Sequence, residues 1–280
     1  MQVVKRISEL RNTLKEVKKE GKKIGLVPTM GALHRGHISL VKRACNETDF
    51  VVVSIFVNPT QFNDKNDLKR YPRDLNKDLT LLETTGCKLV FAPEVEEVYP
   101  EPDTRQFHFG NIETVMEGKY RPGHFNGVAQ IVSKLLEMVQ PDKAFFGLKD
   151  FQQFVIIKAL VKQLSLPVEI VPCEIVREPD GLAMSSRNTL LDADQRKNAV
   201  LISGTLFEAG NKSKEMSVEE LCKWVVARID ENKYLKTEYF EIVDDEKLQP
   251  VKNWEEKGNK VGCIAVHCGK IRLIDNIIFN

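Results

Sequence analysis

The sequence predicts an α/β fold, a Rossmann-like doubly wound parallel sheet followed by a smaller α+β domain. Short apolar runs alternate with amphipathic helical patterns over residues 1–176, and such alternation is typical of parallel strands joined by helices. A turn-rich break then follows at residues 177–181. Beyond it, helical patterns precede strand patterns, as in an α+β domain. We therefore expect one domain over residues 1–176 and a second over residues 177–280.

Strand and helical patterns can be placed in order along the first domain. The strand patterns are residues 22–27, 50–57, 88–91, 143–146 and 168–176. The helical patterns are residues 8–17, 36–44, 74–85, 128–139 and 154–160. Ser8 is the predicted N-cap of the first helix, and Pro28 is expected to end the first strand. Residues 121–127, with two glycines and a proline, are expected to form a loop.

The second domain carries fewer and longer patterns. Its helical patterns are residues 192–210 and 217–232, and its strand patterns are residues 236–243, 260–268 and 270–274. Cys268-Gly269-Lys270 reads as the hairpin turn between the last two strands.

Length and composition limit the possible functions. The chain of 280 residues is 42% hydrophobic and 29% charged, as expected of a soluble globular protein with a full core. A formal net charge of +1 disfavours nucleic-acid binding through bulk charge. The sequence has neither an apolar run of membrane-spanning length nor a signal-peptide core. The six scattered cysteines fit a reducing compartment, so we expect a cytoplasmic protein.

The strongest functional signal is the stretch from Val27 to His37. A strand that leads through a glycine-containing turn into a helix brings backbone N–H groups and the positive helix end together, which favours phosphate binding. His34 and His37 are three residues apart and can point the same way. Imidazole N–H donors at this point can stabilise a phosphate under nucleophilic attack. The alternative interpretation is a pair of turn histidines with structural hydrogen bonds.

Two further segments can carry phosphate chemistry. Ser185, Ser186 and Arg187 offer two hydroxyls and a guanidinium to a polyphosphate, although the same residues can simply precede a helix N-cap. Lys149 can neutralise phosphate charge and Asp150 can help to hold magnesium. A solvated, capped turn explains that pair as well.

Polar side chains also stand at predicted strand ends and helix starts. The neutral amides among them are Asn58, Gln61, Gln152 and Gln153. They suit a small polar substrate, although surface amides are common. Arg121 and His124 suit either an anion clamp or a turn. The sequence has neither a P-loop nor a G-x-G-x-x-G motif, which disfavours kinase-like and dinucleotide-binding functions.

Taken together and in order, these segments resemble the pantoate–β-alanine ligase (pantothenate synthetase) family over nearly the whole chain. The similar segments are residues 28–37, 58–62, 71–73, 121–125, 149–153, 177–182, 185–188 and 272–276. Two positions depart from the family pattern. Leu148 stands where an acidic residue is usual, and Leu190 stands where an aromatic residue is common.

The resemblance implies a nucleotidyltransferase fold of the H-x-G-H type, a C-terminal lid domain and a homodimer. It also implies a two-step reaction. The pantoate carboxylate first attacks the α-phosphate of ATP to form pantoyl adenylate and pyrophosphate. The amine of β-alanine then attacks the activated carbonyl, which releases pantothenate and AMP.

The resemblance further implies a role for each matching residue. The catalytic set is His37, His34, Lys149 and Arg187. The ATP-binding set is Met30, Gly31, Ala32, Leu33, His34, Arg35, Gly36, His37, Gly147, Leu148, Lys149, Asp150, Val176, Met184, Ser185, Ser186 and Arg187. Gln61 and Gln153 would bind pantoate, Gln61 would also meet β-alanine, and Asp150 would be the protein ligand of Mg²⁺.

Three other functions use similar motifs. A relative of the class I aminoacyl-tRNA synthetases shares the H-x-G-H and serine-rich signatures, but the chain is short and near neutral. An adenylyltransferase would move AMP onto a phosphate ester instead of a carboxylate. A silent regulator of this fold would bind ATP without releasing pyrophosphate.

Overall fold

The computed structural model describes residues 1–279, which form two compact units. The first unit comprises residues 1–109, 121–148 and 156–174. The second comprises residues 110–120, 149–155 and 175 onward. The chain thus leaves the first unit for the last time after Glu174. The domain boundary at residues 176/177 stays a prediction.

The first unit contains the predicted parallel sheet. Its six strands are β1 (Gln2–Val4), β2 (Ile24–Thr29), β3 (Phe50–Ile55), β4 (Leu89–Phe91), β5 (Lys143–Gly147) and β6 (Glu169–Cys173). All pairs are parallel and the spatial order is β1-β4-β3-β2-β5-β6. After β1, which forms one edge, the chain adds β3 and β4 on one side of β2 and then β5 and β6 on the other side. The carboxyl ends of β2 and β5 therefore flank the topological switch point, where open α/β sheets bind ligands.

Ten α-helices accompany the strands in the described chain. They are α1 (Ile7–Lys19), α2 (Arg35–Glu47), α3 (Lys65–Arg70), α4 (Leu75–Glu83), α5 (Val95–Val98), α6 (Met116–Tyr120), α7 (His124–Val139), α8 (Phe151–Gln163), α9 (Ala193–Lys212) and α10 (Val218–Asp230). Helices α3, α5 and α6, together with the edge strand β1, were not predicted. All four are six residues or shorter, too short for a clear hydrophobic period.

Pro28 does not end β2, contrary to the prediction. The strand continues through Pro28 to Thr29, and Pro28 pairs with Ser54 of β3. On its other side, β2 pairs with β5 only through Gly25 and Leu26. Pro28 lies beyond that short ladder, so its missing N–H group costs the sheet little.

The predicted N-cap of α1 is also wrong, because Ser8 does not cap this helix. The N-cap is Arg6, and Ser8 lies in the first turn. The Glu9 carboxylate accepts the backbone N–H groups of Lys5 and Arg6 at 3.4 and 3.3 Å. The glutamate at the third helical position therefore accepts N–H groups at the start of α1, whereas the prediction placed a serine hydroxyl as the cap.

Helix α7 begins four residues earlier than predicted, so the expected loop at residues 121–127 ends at Gly123. Gly123 has φ +81° and is the N-cap. Gly127 lies inside the helix, where a Cβ would lie 2.3 Å from the carbonyl oxygen of Thr60. Gly127 therefore permits a close approach of two backbones and does not break the helix.

The core of the first unit holds α2 against the sheet. Leu40, Val41 and Ala44 of α2 are buried in one cluster with Val51 and Val53 of β3. Each buried leucine or valine side chain among them contributes roughly 1.5–3 kcal/mol of burial free energy. The position of the first turn of α2 is thus fixed by packing as well as by its hydrogen bonds.

The second unit contains the predicted α+β arrangement. Strands β7 (Leu235–Asp244), β8 (Lys260–Cys268) and β9 (Ile271–Phe279) form an antiparallel sheet in that order. Helices α9 and α10 begin with capping boxes at Asp192 and Ser217, and their apolar faces share one core with the sheet. The prediction of a parallel sheet followed by a smaller α+β region is therefore confirmed.

The ion pair of Asp103 with Arg105 in the first unit should make stability depend on pH. Arg105 donates from Nε and Nη2 to the Asp103 carboxylate at 2.9 and 2.7 Å, and these bonds lower the pKa of Asp103. The pair therefore stabilises the fold above the ordinary aspartate pKa of about 4, and the stabilisation is lost as the pH falls. Asp103→Asn should cost about 1–2 kcal/mol at pH 7, because Arg105 is partly exposed and screened by solvent.

Urea titrations of the wild type and Asp103→Asn at pH 7 and at about pH 3 measure this difference. We expect the gap in unfolding free energy to shrink at the lower pH. The exposed substitution Glu101→Gln serves as the control. A gap of equal size at both pH values would contradict the assignment.

Candidate active site

His34 and His37 cap the first turn of α2. His34 is the N-cap, and its Nδ1 accepts the N–H group of Gly36 at 3.1 Å. The Nδ1 of His37 accepts the N–H group of His34 at 3.2 Å, and the two ring centroids are 4.0 Å apart. Since both Nδ1 atoms act as acceptors, each neutral ring carries its proton on Nε2. The turn histidines thus do make structural hydrogen bonds through Nδ1, and these bonds leave Nε2 as the donor of each ring.

The loop before His34 is held in a left-handed turn by a buried carboxylate. Gly31 and Ala32 have φ values of +79° and +49°. The N–H groups of Ala32 and Leu33 donate to Asp78 of α4 at 3.0 and 2.7 Å. Burial raises the pKa of Asp78, although these two hydrogen bonds act in the opposite direction. The N–H groups of Ala32 and Leu33 are therefore engaged within the protein.

Gln61 lies beside Met30 in the same unit. Its Nε2 donates to the Met30 sulfur at 3.1 Å, and its Oε1 accepts from Asn58 Nδ2 at 3.1 Å. Tyr99 Oη donates to Asn58 Oδ1 at 2.9 Å, and His124 Nδ1 lies 2.9 Å from the Gln61 carbonyl oxygen. Of these residues, Asn58, Gln61 and His124 are polar candidates that the sequence predicts. The network gives the buried Gln61 amide one orientation.

The second unit brings together Lys149, Val176 and the serine-rich loop. The Lys149 ammonium group donates to the Met184 carbonyl at 3.0 Å, and the Met184 N–H group donates to Val176 at 3.0 Å. Ser185 caps the 3₁₀ turn Ser186–Leu190 by accepting the N–H group of Arg187 at 3.2 Å. The alternative role as a cap thus applies to this short turn, whereas α9 has its own cap at Asp192.

The remaining predicted residues are divided between the units. Gly147 ends β5 and Leu148 follows it in the first unit. Asp150 and Gln153 are half-buried and belong to the second unit. A Cβ on Gly147 would meet no atom within 4 Å, so the backbone there borders open space.

An unexpected polar network in the second unit is centred on Glu117. Its carboxylate accepts Arg272 Nη1 and Nη2 at 2.8 and 2.7 Å and the Tyr239 hydroxyl at 2.8 Å. Arg272 Nε also donates to Glu238 at 3.0 Å. The Glu117 N–H group donates to Gln152 at 2.9 Å, next to Gln153. This network thus holds the side chain of Gln152, the residue before Gln153, which is predicted to bind pantoate.

The described residues do not form a multi-ligand metal site. Among residues 1–279, no group of three or more histidine, cysteine, aspartate or glutamate side chains is placed to hold a metal ion. Asp150 fits magnesium only as a single ligand, as for an ion that keeps most of its waters and binds mainly to phosphate oxygens. The helices between residues 1 and 279 lack the combination of length and hydrophobicity that a membrane span requires.

The sheet order and the histidine-capped helix at its switch point define a Rossmann-like α/β protein with an H-x-G-H loop. The family model of pantoate–β-alanine ligase matches residues 2–278. The chain belongs to the pantoate–β-alanine ligase family, and the resemblance seen in the sequence is confirmed.

Individual relatives agree with this assignment over their full length. Pantothenate synthetases of Bacteroides fragilis and Phocaeicola vulgatus are 57% and 58% identical to this chain, each aligned over 99% of it and 98–99% of the relative. The crystal structure of pantothenate synthetase from Thermus thermophilus is 42% identical, with a TM-score of 0.92 and 99% coverage of both chains. The ligase from Francisella tularensis, solved with βγ-ATP and β-alanine, is 36% identical with a TM-score of 0.78, covering 99% of this chain and 97% of that one.

Proposed function

We propose that this protein condenses pantoate with β-alanine at the expense of ATP, through an enzyme-bound pantoyl adenylate. The observation that carries the proposal is the pair of Nε2–H donors at the start of α2, at the switch point of the sheet. Membership of the ligase family supports it over the whole chain.

In the first step, a pantoate carboxylate oxygen attacks the α-phosphorus of ATP. The bond from that phosphorus to the bridging oxygen breaks, and pyrophosphate leaves. We assign His34 and His37 to the phosphate oxygens, where their Nε2–H groups stabilise the charge that develops during attack. A pyrophosphate leaving group requires little protonation, so hydrogen bonding by His37 suffices without proton transfer.

The other phosphate contacts are assigned to the second unit. Lys149 and Arg187 supply positive charge, and Ser185 and Ser186 supply hydroxyl donors for the β- and γ-phosphates. Met30 to Gly36, with Gly147, Leu148, Val176 and Met184, would form the remaining ATP contacts. Leu148 replaces a charge at the edge of this set and removes none of the assigned donors.

Gln61 and Gln153 are assigned to pantoate. Each neutral amide can donate and accept, which suits the hydroxyl groups and carboxylate of the substrate. Gln61 is also assigned to β-alanine. In the second step, the neutral β-alanine amine attacks the carbonyl carbon, the bond to the AMP oxygen breaks, and the nitrogen loses a proton. Closure of a lid would protect the adenylate from water.

Magnesium, assembly and location complete the proposal. Mg²⁺ would enter with ATP as part of the substrate, with Asp150 as the protein ligand. The family resemblance supports a homodimer that binds neither nucleic acid nor membranes. The six free thiols of the chain are compatible with a cytoplasmic location.

Pyrophosphate release tests the proposed function directly. With ATP, Mg²⁺ and pantoate alone, we expect a burst of about one pyrophosphate per active site, because the adenylate stays bound. Addition of β-alanine should then start continuous formation of AMP and pantothenate. Pantoate-independent transfer of AMP to a phosphate ester would favour an adenylyltransferase, and amino-acid-dependent exchange would favour a synthetase relative. ATP binding without pyrophosphate release would favour a silent regulator.

A further inference from the structure

We infer that Asp78 is a positioning residue for ATP, because its carboxylate holds the loop that leads into His34. The inference rests on the proposed function, since it assumes that this loop binds the nucleotide. Asp78 lies on α4, 45 positions along the chain from Leu33, and it is only 1% exposed. It belongs to none of the motifs that the sequence analysis singled out.

The geometry shows what the carboxylate does. Each of its oxygens accepts one loop N–H group, Oδ2 from Ala32 and Oδ1 from Leu33. Ala32 is a non-glycine residue with φ +49°, a conformation that persists only where the surroundings hold it. Two charge-assisted hydrogen bonds to successive N–H groups provide such a constraint.

The turn leads directly to the catalytic candidates. The next residue after Leu33 is His34, whose N–H group in turn donates to His37 Nδ1 at 3.2 Å. Asp78 therefore anchors the residue that precedes His34, and the His34 backbone in turn holds the His37 ring. A shift of the turn would move the Nε2–H donors away from the phosphate, and misplacement by about 1 Å can cost roughly 100-fold in rate.

The space around the turn is equally restricted. A Cβ on Gly31 would lie 3.0 Å from Asp78 Oδ2 and 3.2 Å from Ile55 Cγ2. Gly31 also has φ +79°. The close approach of the carboxylate thus requires glycine at this position.

Asp78→Asn tests the inference with little change in volume. The amide can accept only one of the two N–H groups and turns its own NH₂ group toward the other. We expect the Kd for ATP, measured by calorimetry, and the KM for ATP to rise about 10- to 100-fold, because a displaced loop loses its hydrogen bonds to the charged phosphates of bound ATP. The KM for pantoate should change less than about threefold. Loss of folded protein alone would lower the maximal rate and leave both KM values unchanged.

Asp74→Asn is the matched control, because Asp74 is exposed on the first turn of the same helix and caps it through Lys77 N. Asparagine is an equally good N-cap, so ATP affinity should stay at the wild-type value. If Asp78→Asn does not fold, Gly31→Ala perturbs the same contact from the loop side and should also weaken ATP.

Unchanged ATP affinity in Asp78→Asn, or in Gly31→Ala where Asp78→Asn does not fold, would overturn the inference. A different result would overturn the proposed function: the wild type would release no pyrophosphate in the presence of pantoate. Because the calorimetric Kd needs no turnover, it tests the role of Asp78 in either case.

Discussion

Replacing His37 with alanine should reduce pantoate-dependent pyrophosphate formation about 100- to 1,000-fold, the usual cost of removing one donor that stabilises a transition state. The substitution removes the Nε2–H donor and the Nδ1 acceptor that satisfies the His34 N–H group. The packing of α2 rests on Leu40, Val41 and Ala44, so we expect the fold to persist. Stopped-flow measurement of pyrophosphate release and circular dichroism check the two parts.

His37→Gln distinguishes hydrogen bonding from proton transfer. Glutamine at this helical position can accept the His34 N–H group through Oε1 and still donate through Nε2. If His37 acts as a neutral donor, His37→Gln should retain at least ten times the rate of His37→Ala. Equal losses in both variants would instead favour proton donation by His37. His108→Ala, at an exposed position, is the control and should keep the wild-type rate.

The parts of the fold that could be predicted are those in which neighbouring residues decide the structure. The apolar run that includes Val51–Val53 and the helical pattern after Gly36 contain their own periodicity, and both elements are present. Pro28 and Gly127 misled the prediction for one shared reason. Each was judged as a local breaker, whereas its role depends on a distant segment: β5, which pairs with β2 only before Pro28, and Thr60, against which Gly127 packs.

In the candidate site, too, the residues in local motifs could be predicted, and those with distant partners could not. His34 and His37 could be found because a strand, a turn and a helix start within a dozen residues. Asp78 and Glu117 could not, because a carboxylate in a helical pattern is normally a solvated side chain. Their partners, Leu33 and Arg272, are 45 and 155 positions away. The motifs thus predict the candidate site residues, whereas the contacts of the Asp78 and Glu117 carboxylates become visible only in the structure.

Removal of Glu117 alone should destabilise the second unit strongly, because it breaks the buried Glu117–Arg272 pair. Glu117 and Arg272 side chains are only 10% and 21% exposed. Glu117→Ala should cost about 3 kcal/mol of unfolding free energy, because a largely buried guanidinium loses one of the two carboxylates that pair with it in the described residues, and Glu238 remains. The Tyr239 hydroxyl loses its acceptor in the same variant. Denaturant titration near pH 7 measures this cost.

A double substitution separates the cost of an unpaired charge from the value of the pair itself. Glu117→Met combined with Arg272→Leu removes both charges and keeps apolar volume, so it should be more stable than Glu117→Ala. Glu219→Ala breaks the exposed pair with Lys223 on α10 and should cost at most about 0.5 kcal/mol. If Glu117→Ala costs no more than Glu219→Ala, the buried network does not stabilise the unit. If the double variant is no better than Glu117→Ala, the loss comes from packing and not from the stranded charge of Arg272.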